Sequence, residues 1–119
     1  MPLESLKIWR NMKVYKDTNM HRGWFIGNFE PSVLKTPDFE IGVLKHKKDE
    51  LWQAHYHKES IEYNYLLEGS MIIQGQPLKS GDIFVLDRYE VADPIFITDC
   101  TIVVVKTPSN PQDKYMVEQ

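Results

Sequence analysis

One cysteine, Cys100, occurs in 119 residues, so no internal disulfide braces the chain and nothing in it requires an oxidising compartment. No apolar run approaches the ~20 residues of a membrane span. The opening Met1-Pro2-Leu3-Glu4-Ser5 lacks the charged-then-apolar order of a secretory signal. Positive charge is not in excess: 14 Lys and Arg stand against 17 Asp and Glu, for a net charge of −3. That balance argues against the basic stripe of a nucleic-acid binder. Internal repeats, low-complexity stretches and a helical period sustained over three turns are also missing. These absences lead to the expectation of a soluble cytoplasmic domain without nucleic-acid or membrane partners. With 42% hydrophobic and 12% aromatic residues, it can bury one core.

What is present reads as short strands punctuated by turn residues. Residues 1–23 are mixed and polar and read as an edge strand and arm. Residues 24–107 read as the folded body, and 108–119 as a polar, proline-containing tail. Trp24–Phe29 is rich in β-formers. Phe39–Lys45 alternates, and His46–Glu50 turns it into a partner strand over Leu51–His57. Further strands fall at Tyr63–Leu67, Met71–Gln74, Ile83–Leu86 and Ile95–Thr98, with Gly75-Gln76-Pro77 as a turn. Thr101–Lys106 is β-branched and nearly all apolar, which suits burial on both faces. Closely spaced strands with Gly and Pro turns point to a β-sandwich or small barrel.

One run carries chemistry. His55 and His57 are two residues apart, so a strand places both imidazoles on one face. Glu62 follows five residues later. Two imidazoles and a carboxylate of this kind are ligands for a divalent transition metal. Glu59 is a rival carboxylate, but its neighbours Lys58 and Ser60 mark a turn. Asn64 shares the Glu62 face and needs partners if buried, while Tyr63 and Tyr65 face the other way. The aromatics Trp24, Phe25, Phe29, Trp52, Tyr63, Tyr65, Phe84 and Phe96 are assigned mainly to the core, with one or two free to stack on a sugar ring. His21 and His46 sit in polar contexts and are read as solvated. Cys100 is read as a small filler.

The spacing of His55, His57, Glu62 and Gly69 resembles the first motif of the cupin superfamily. Gly81-Asp82, twelve residues beyond Gly69, resembles the opening of the second. The resemblance covers about residues 39–107. It implies an all-β, antiparallel double-stranded β-helix, a jelly-roll barrel with a metal or ligand at its mouth. Two positions depart from the pattern. Asp49 stands where a structural Gly is usual. Ala92 stands where the second motif carries a metal-binding His, so the common fourth ligand is absent. Asp93 is the candidate substitute, provided a bulge turns it inward.

The expected metal site is therefore His55, His57 and Glu62, with Asp93 as the added candidate and Fe, Mn, Zn or Ni as the metal. An open position on such a metal supports dioxygen chemistry or polarises a carbonyl for isomerisation. The resemblance implies dioxygenases, sugar isomerases and epimerases, decarboxylases and non-enzymatic binding domains alike. The preferred expectation is a metal-dependent enzyme on a carbohydrate-type or other small polar metabolite, with Glu90 or Tyr89 as proton donor or acceptor. The alternative is a non-catalytic ligand-binding module without tightly bound metal. A third is an interaction domain whose interior is filled by aromatics. Exposed jelly-roll edges, with Leu6–Tyr15 as a pairing segment, lead to the expectation of a homodimer.

Overall fold

A computed structural model describes residues 11–118. Strand formation follows the alternation of β-branched and aromatic residues between turns. The strands are β1 (Trp24–Gly27), β2 (Leu34–Lys35), β3 (Glu40–His46), β4 (His55–Tyr56), β5 (Ile61–Glu68), β6 (Ser70–Ile73), β7 (Gln76–Lys79), β8 (Ile83–Leu86), β9 (Ile95–Phe96), β10 (Cys100–Thr107) and β11 (Tyr115–Met116). The described residues contain no α-helix; one 3₁₀ turn spans Asp17–Asn19. None of their helices is long and apolar enough to cross a membrane.

The strands form a six-stranded sheet in the order β2-β1-β3-β10-β5-β8, a three-stranded sheet β7-β6-β9 and a two-stranded ribbon β11-β4. The all-β jelly-roll expectation holds. β10 lies at the centre of the large sheet, antiparallel to β3 on one side and β5 on the other. The inner faces of the large and three-stranded sheets share one apolar cluster. Leu66, Ile102, Val104 and Leu86 contribute from the first, and Met71, Ile73 and Phe96 from the second.

Register sorts the inner face of the large sheet into rows. Leu44, Ile102 and Leu66 form one row across β3, β10 and β5. Gly42, Val104, Asn64 and Phe84 form the next, reaching β8. Glu40, Lys106, Glu62 and Leu86 form the third. Gly42 is required in its row, because a Cβ there would lie 2.8 Å from the Trp24 ring, which covers it. Gly69 has φ of 102°, and a Cβ on it would sit 2.3 Å from the Asp99 carbonyl oxygen. That geometry accounts for the glycine of the first motif. Asp49, at the other expected glycine, adopts φ of 60°, a conformation Asp tolerates better than most residues.

Several local expectations are corrected. Leu51–His57 is not the hairpin partner of β3. Only His55 and Tyr56 are strand, and they pair with β11 across about sixty residues of chain. The tail thus folds back as a strap beside the site. Gln76–Lys79 is a strand, and the turn falls on Gln74 and Gly75, both with positive φ. β10 is not buried on both faces: burial alternates along it, with the outward residues half-exposed. Tyr63 and Tyr65 lie on that exposed outer face rather than in the core. Of the predicted pairing segment Leu6–Tyr15, residues 6–10 lie outside the described residues, and 11–15 form no strand.

Candidate functional site

The rows and the strap line a half-open cavity of about 990 Å³ whose wall includes His55, His57, Glu62, Asn64, Ala92, Lys106 and Lys114. A cavity around His55 counts against an interior filled with aromatics. His55 and His57 flank Tyr56 on and beside β4, and their rings are 5.6 Å apart, edge to face. Glu62 comes from the neighbouring β5 with its side chain 13% exposed.

Each imidazole is oriented from behind. A carbonyl oxygen can only accept, so the ring nitrogen facing it must donate. His55 Nδ1 donates to the Gln53 carbonyl at 3.3 Å, and His57 Nδ1 donates to the Asp113 carbonyl on the strap. The Asp113 side chain is equally engaged. Its carboxylate accepts the backbone N–H groups of Lys58 at 2.8 Å, Glu59 at 3.0 Å and Ser60 at 3.0 Å. One strap residue therefore closes the turn after His57 and aims the His57 ring.

His57 Nε2 then lies 3.3 Å from Glu62 Oε2. With Nδ1 committed as donor, a neutral imidazole presents a lone pair at Nε2. Two acceptors face each other unless a proton or a metal cation lies between them. Burial alone would raise the Glu62 carboxyl. The His57 hydrogen bond and the charges of Lys106, His57 and His55 outweigh it and hold the group below its ordinary value. His55 is held below its usual value first by burial, then by the charge of Lys114. It is thus a neutral donor near neutral pH.

Beside Glu62, the Lys106 ammonium is 3.6 Å from Glu40 Oε1, both side chains being buried. Burial pushes the Glu40 carboxyl up, against the opposing pull of Lys106. Asn64 is buried in the next row, and its amide lies 3.5 Å from the Glu62 carbonyl. Its place beside Glu62 is as expected.

Ala92 is buried against His55, exchanging backbone hydrogen bonds with it at 3.1 and 2.7 Å. The position resembling the second-motif ligand thus does face the cavity, but carries only a methyl group. Asp93 is not brought in: it is exposed, and its carboxylate accepts the Gln74 N–H at 2.7 Å. Glu90 is also exposed and lies within 3.5 Å of the Gln74 side-chain amide. Tyr89 lines a separate small cleft with Tyr56 and Met116, stacked on Tyr56. Neither Glu90 nor Tyr89 reaches the cavity wall. Glu59 is exposed in its turn, accepting from Asn110 at 3.0 Å.

His46, read as solvated, faces inward instead. It stacks on Phe96 with centroids 4.3 Å apart, and its Nδ1 is 2.6 Å from Glu50. His21 is exposed at the cavity rim. Cys100 is a buried filler between the Ser70 and Thr98 carbonyls, as expected. Among the described residues, no three of His, Cys, Asp and Glu are gathered closely enough to hold a metal ion. The donor types fit a metal; their spacing pairs His57 with Glu62.

No protein-family model matches the chain, and no curated protein matches it significantly. Solved structures do. A conserved protein with a double-stranded β-helix domain from Klebsiella pneumoniae superposes with a TM-score of 0.64 at 20% identity, covering 92% of this chain and all (100%) of that one. Streptomyces PAC13, solved with uridine, gives 0.59 at 15% identity over 69% of this chain and 70% of that one. A cupin-superfamily sugar phosphate isomerase from Silicibacter pomeroyi gives 0.56 at 18% identity over 69% and 58%. At such identities the likeness concerns architecture, and on that architecture the chain is built on the double-stranded β-helix of the cupins.

Proposed function

We propose that this chain binds a small polar metabolite of carbohydrate type in its barrel, and that His55, His57 and Glu62 would draw together around a divalent transition metal beside it. The observation that carries the metal is the orientation of the histidines. Both donate Nδ1–H to a main-chain carbonyl, the arrangement that fixes the tautomer of metal-ligating histidines and leaves Nε2 as the coordinating nitrogen, which for His57 is set against Glu62. The buried Glu62 carboxylate opposite supplies the anionic donor. A bound Fe, Mn, Zn or Ni would act as a Lewis acid or, if redox-active, support dioxygen chemistry. The residues around it bind and orient: Asn64 offers amide hydrogen bonds, Trp24 and Trp52 offer faces for a sugar ring, and the Met71–Ile73–Phe84 wall excludes water. A sugar-phosphate enzyme and a uridine complex among similar folds support a polar, ring-containing ligand.

Elemental analysis of purified protein tests this reading. Near-stoichiometric transition metal, lost on His55→Ala and on His57→Ala with the fold retained, is the expected result. Metal-free protein after reconstitution with each of these metals would overturn it.

A second reading, ligand binding without tightly bound metal, draws on Ala92 and the direct His57–Glu62 contact. It predicts ligand affinity unchanged by chelator. The chain is further proposed to act in the cytoplasm as a homodimer. Support for the dimer comes from Tyr63, Tyr65, Leu67, Ile83 and Val85, exposed together on the outer face of β5 and the edge strand β8, with Ile83 70% exposed. Light scattering of a Tyr65→Lys variant checks this: the wild type should be a dimer and the variant a monomer.

A further inference from the structure

Every carboxylate on the cavity wall is already engaged. Asp17 is 3.9 Å from Lys45, Glu40 is 3.6 Å from Lys106, Glu50 is 2.6 Å from His46 and Glu62 is 3.3 Å from His57. The remaining one, Glu30, is 3.6 Å from Lys35. Two cations on the same wall, Arg22 and Lys114, make no ion pair among the described residues. Arg22 and Lys114 are thus the two cations of this wall left outside any side-chain ion pair among the described residues, although the charge of Glu62 reaches Lys114.

Both cations are placed by defined backbone. Arg22, with φ of 53°, and Gly23, with φ of 90°, make the two-residue turn between His21 and Trp24, closed by a 2.9 Å hydrogen bond. Such a turn fixes where the Arg22 stem leaves the chain. Lys114 follows Asp113, whose carboxylate is anchored by three backbone N–H groups, and precedes β11. Its ammonium lies 4.9 Å from the Trp52 ring centroid, against an aromatic face of the cavity. Burial, then the like charges of Lys106 and Arg22, outweigh the opposing pull of Glu62 and hold that ammonium below the ordinary lysine value. An anion between the two cations would remove that repulsion.

We propose that Arg22 and Lys114 form a cationic clamp at the cavity rim that binds an oxyanion on the ligand, a carboxylate or phosphate carried by a polar ring. The planar guanidinium suits two oxygens at once, and the ammonium supplies a mobile third contact. The clamp rests on the small-molecule reading above and narrows its ligand to an anionic sugar derivative.

The test titrates the full chain with inorganic phosphate, D-glucuronate and D-glucose, followed by calorimetry and by NMR of the backbone amides and the Trp52 indole. Phosphate should produce saturable shifts at Arg22, Lys114 and Trp52. D-glucuronate should bind about tenfold or more tighter than D-glucose, the scale of a charge-assisted hydrogen bond. Arg22→Ala and Lys114→Ala should each remove most of that preference, and Lys114→Glu all of it, with unchanged circular dichroism. Phosphate shifts without a glucuronate preference would assign the clamp to phosphate, and the converse to carboxylate. Absence of both, or their persistence in the Arg22→Ala/Lys114→Ala double variant, would overturn the clamp. D-glucose binding as well as D-glucuronate, with no phosphate shifts, overturns the clamp and leaves the carbohydrate reading standing. Metal content of the same samples tests the metal separately.

Discussion

At the floor of the cavity, Leu44, Ile102 and Leu66 stand side by side on β3, β10 and β5. Four residues along the same strands, on the same inward face, stand Glu40, Lys106 and Glu62. Alternation decides only which way a side chain points; it is indifferent to what is pointed. The floor is stabilised by removing apolar surface from water, at roughly 25 cal/mol per Å². The mouth works against that trend. Its charges give up hydration and recover it only through one another. The comparison separates a half of the barrel that holds the fold from a half that the fold must carry.

The largest expected effect breaks the mouth. Lys106→Met leaves Glu40 and Glu62 facing each other without their shared cation. It should lower unfolding free energy by about 3–5 kcal/mol in urea titration. Adding Glu40→Gln should recover much of the loss, which would show that the cost lies in orphaned charge and not in packing. A floor substitution comes next: Leu66→Ala, at a side chain with no exposure, should cost about 2–5 kcal/mol. No second substitution of the polar kind should rescue it. Third, Asp113→Ala strips the carboxylate from the N–H groups of Lys58, Glu59 and Ser60, at about 1–3 kcal/mol. It should also loosen the His57 ring, read as faster exchange and broadening of the His57 side-chain NMR signals. Smallest is the polar spot at the floor end. Burial raises the Glu50 carboxyl, but hydrogen bonds from Trp52, His46 and the Lys47 N–H outweigh it and lower the group. A lowered folded value contributes stability above the unfolded one, ~4.3 for Glu, and that stability is lost as pH falls through the folded value. Glu50→Gln should therefore flatten the acid limb of the stability profile below about pH 4.

Much of this was legible from local pattern. His55, His57 and Glu62 share a cavity because strand parity and the Gly69 frame place them there, and Asn64 follows by the same parity. Ala92 stands where the resemblance to the second motif puts a metal-binding His, and it lies against His55. Parity also held the clue to Glu40 and Lys106, since each lies an even number of residues from an inward neighbour. A strand read mainly for its apolar residues hid its one charged member. Asp93, Glu90 and Tyr89 lie close in sequence to Ala92, but closeness there does not bring a side chain into the cavity. The turn there spends their side chains on Gln74 and Tyr56 instead. Asp113, Lys114 and His46 were beyond local reading. A two-residue strand has no periodicity, and the β4–β11 pairing that brings the strap home joins segments about sixty residues apart. His46 looked solvated beside Lys47 and Lys48 because the Phe96 that stacks on it arrives fifty residues later.

The strap also sets an order of events during synthesis. β1 to β3 and β5 to β10, with the apolar floor, leave the ribosome before Asp113 does, and their pairings need nothing from it; β4 alone waits for β11. Domains consolidate as their elements emerge. The barrel can therefore close while the turn after His57 still lacks its carboxylate and the His57 ring its carbonyl partner. The orientation of His57 is thus set by a segment that follows every strand of the two larger sheets in the chain.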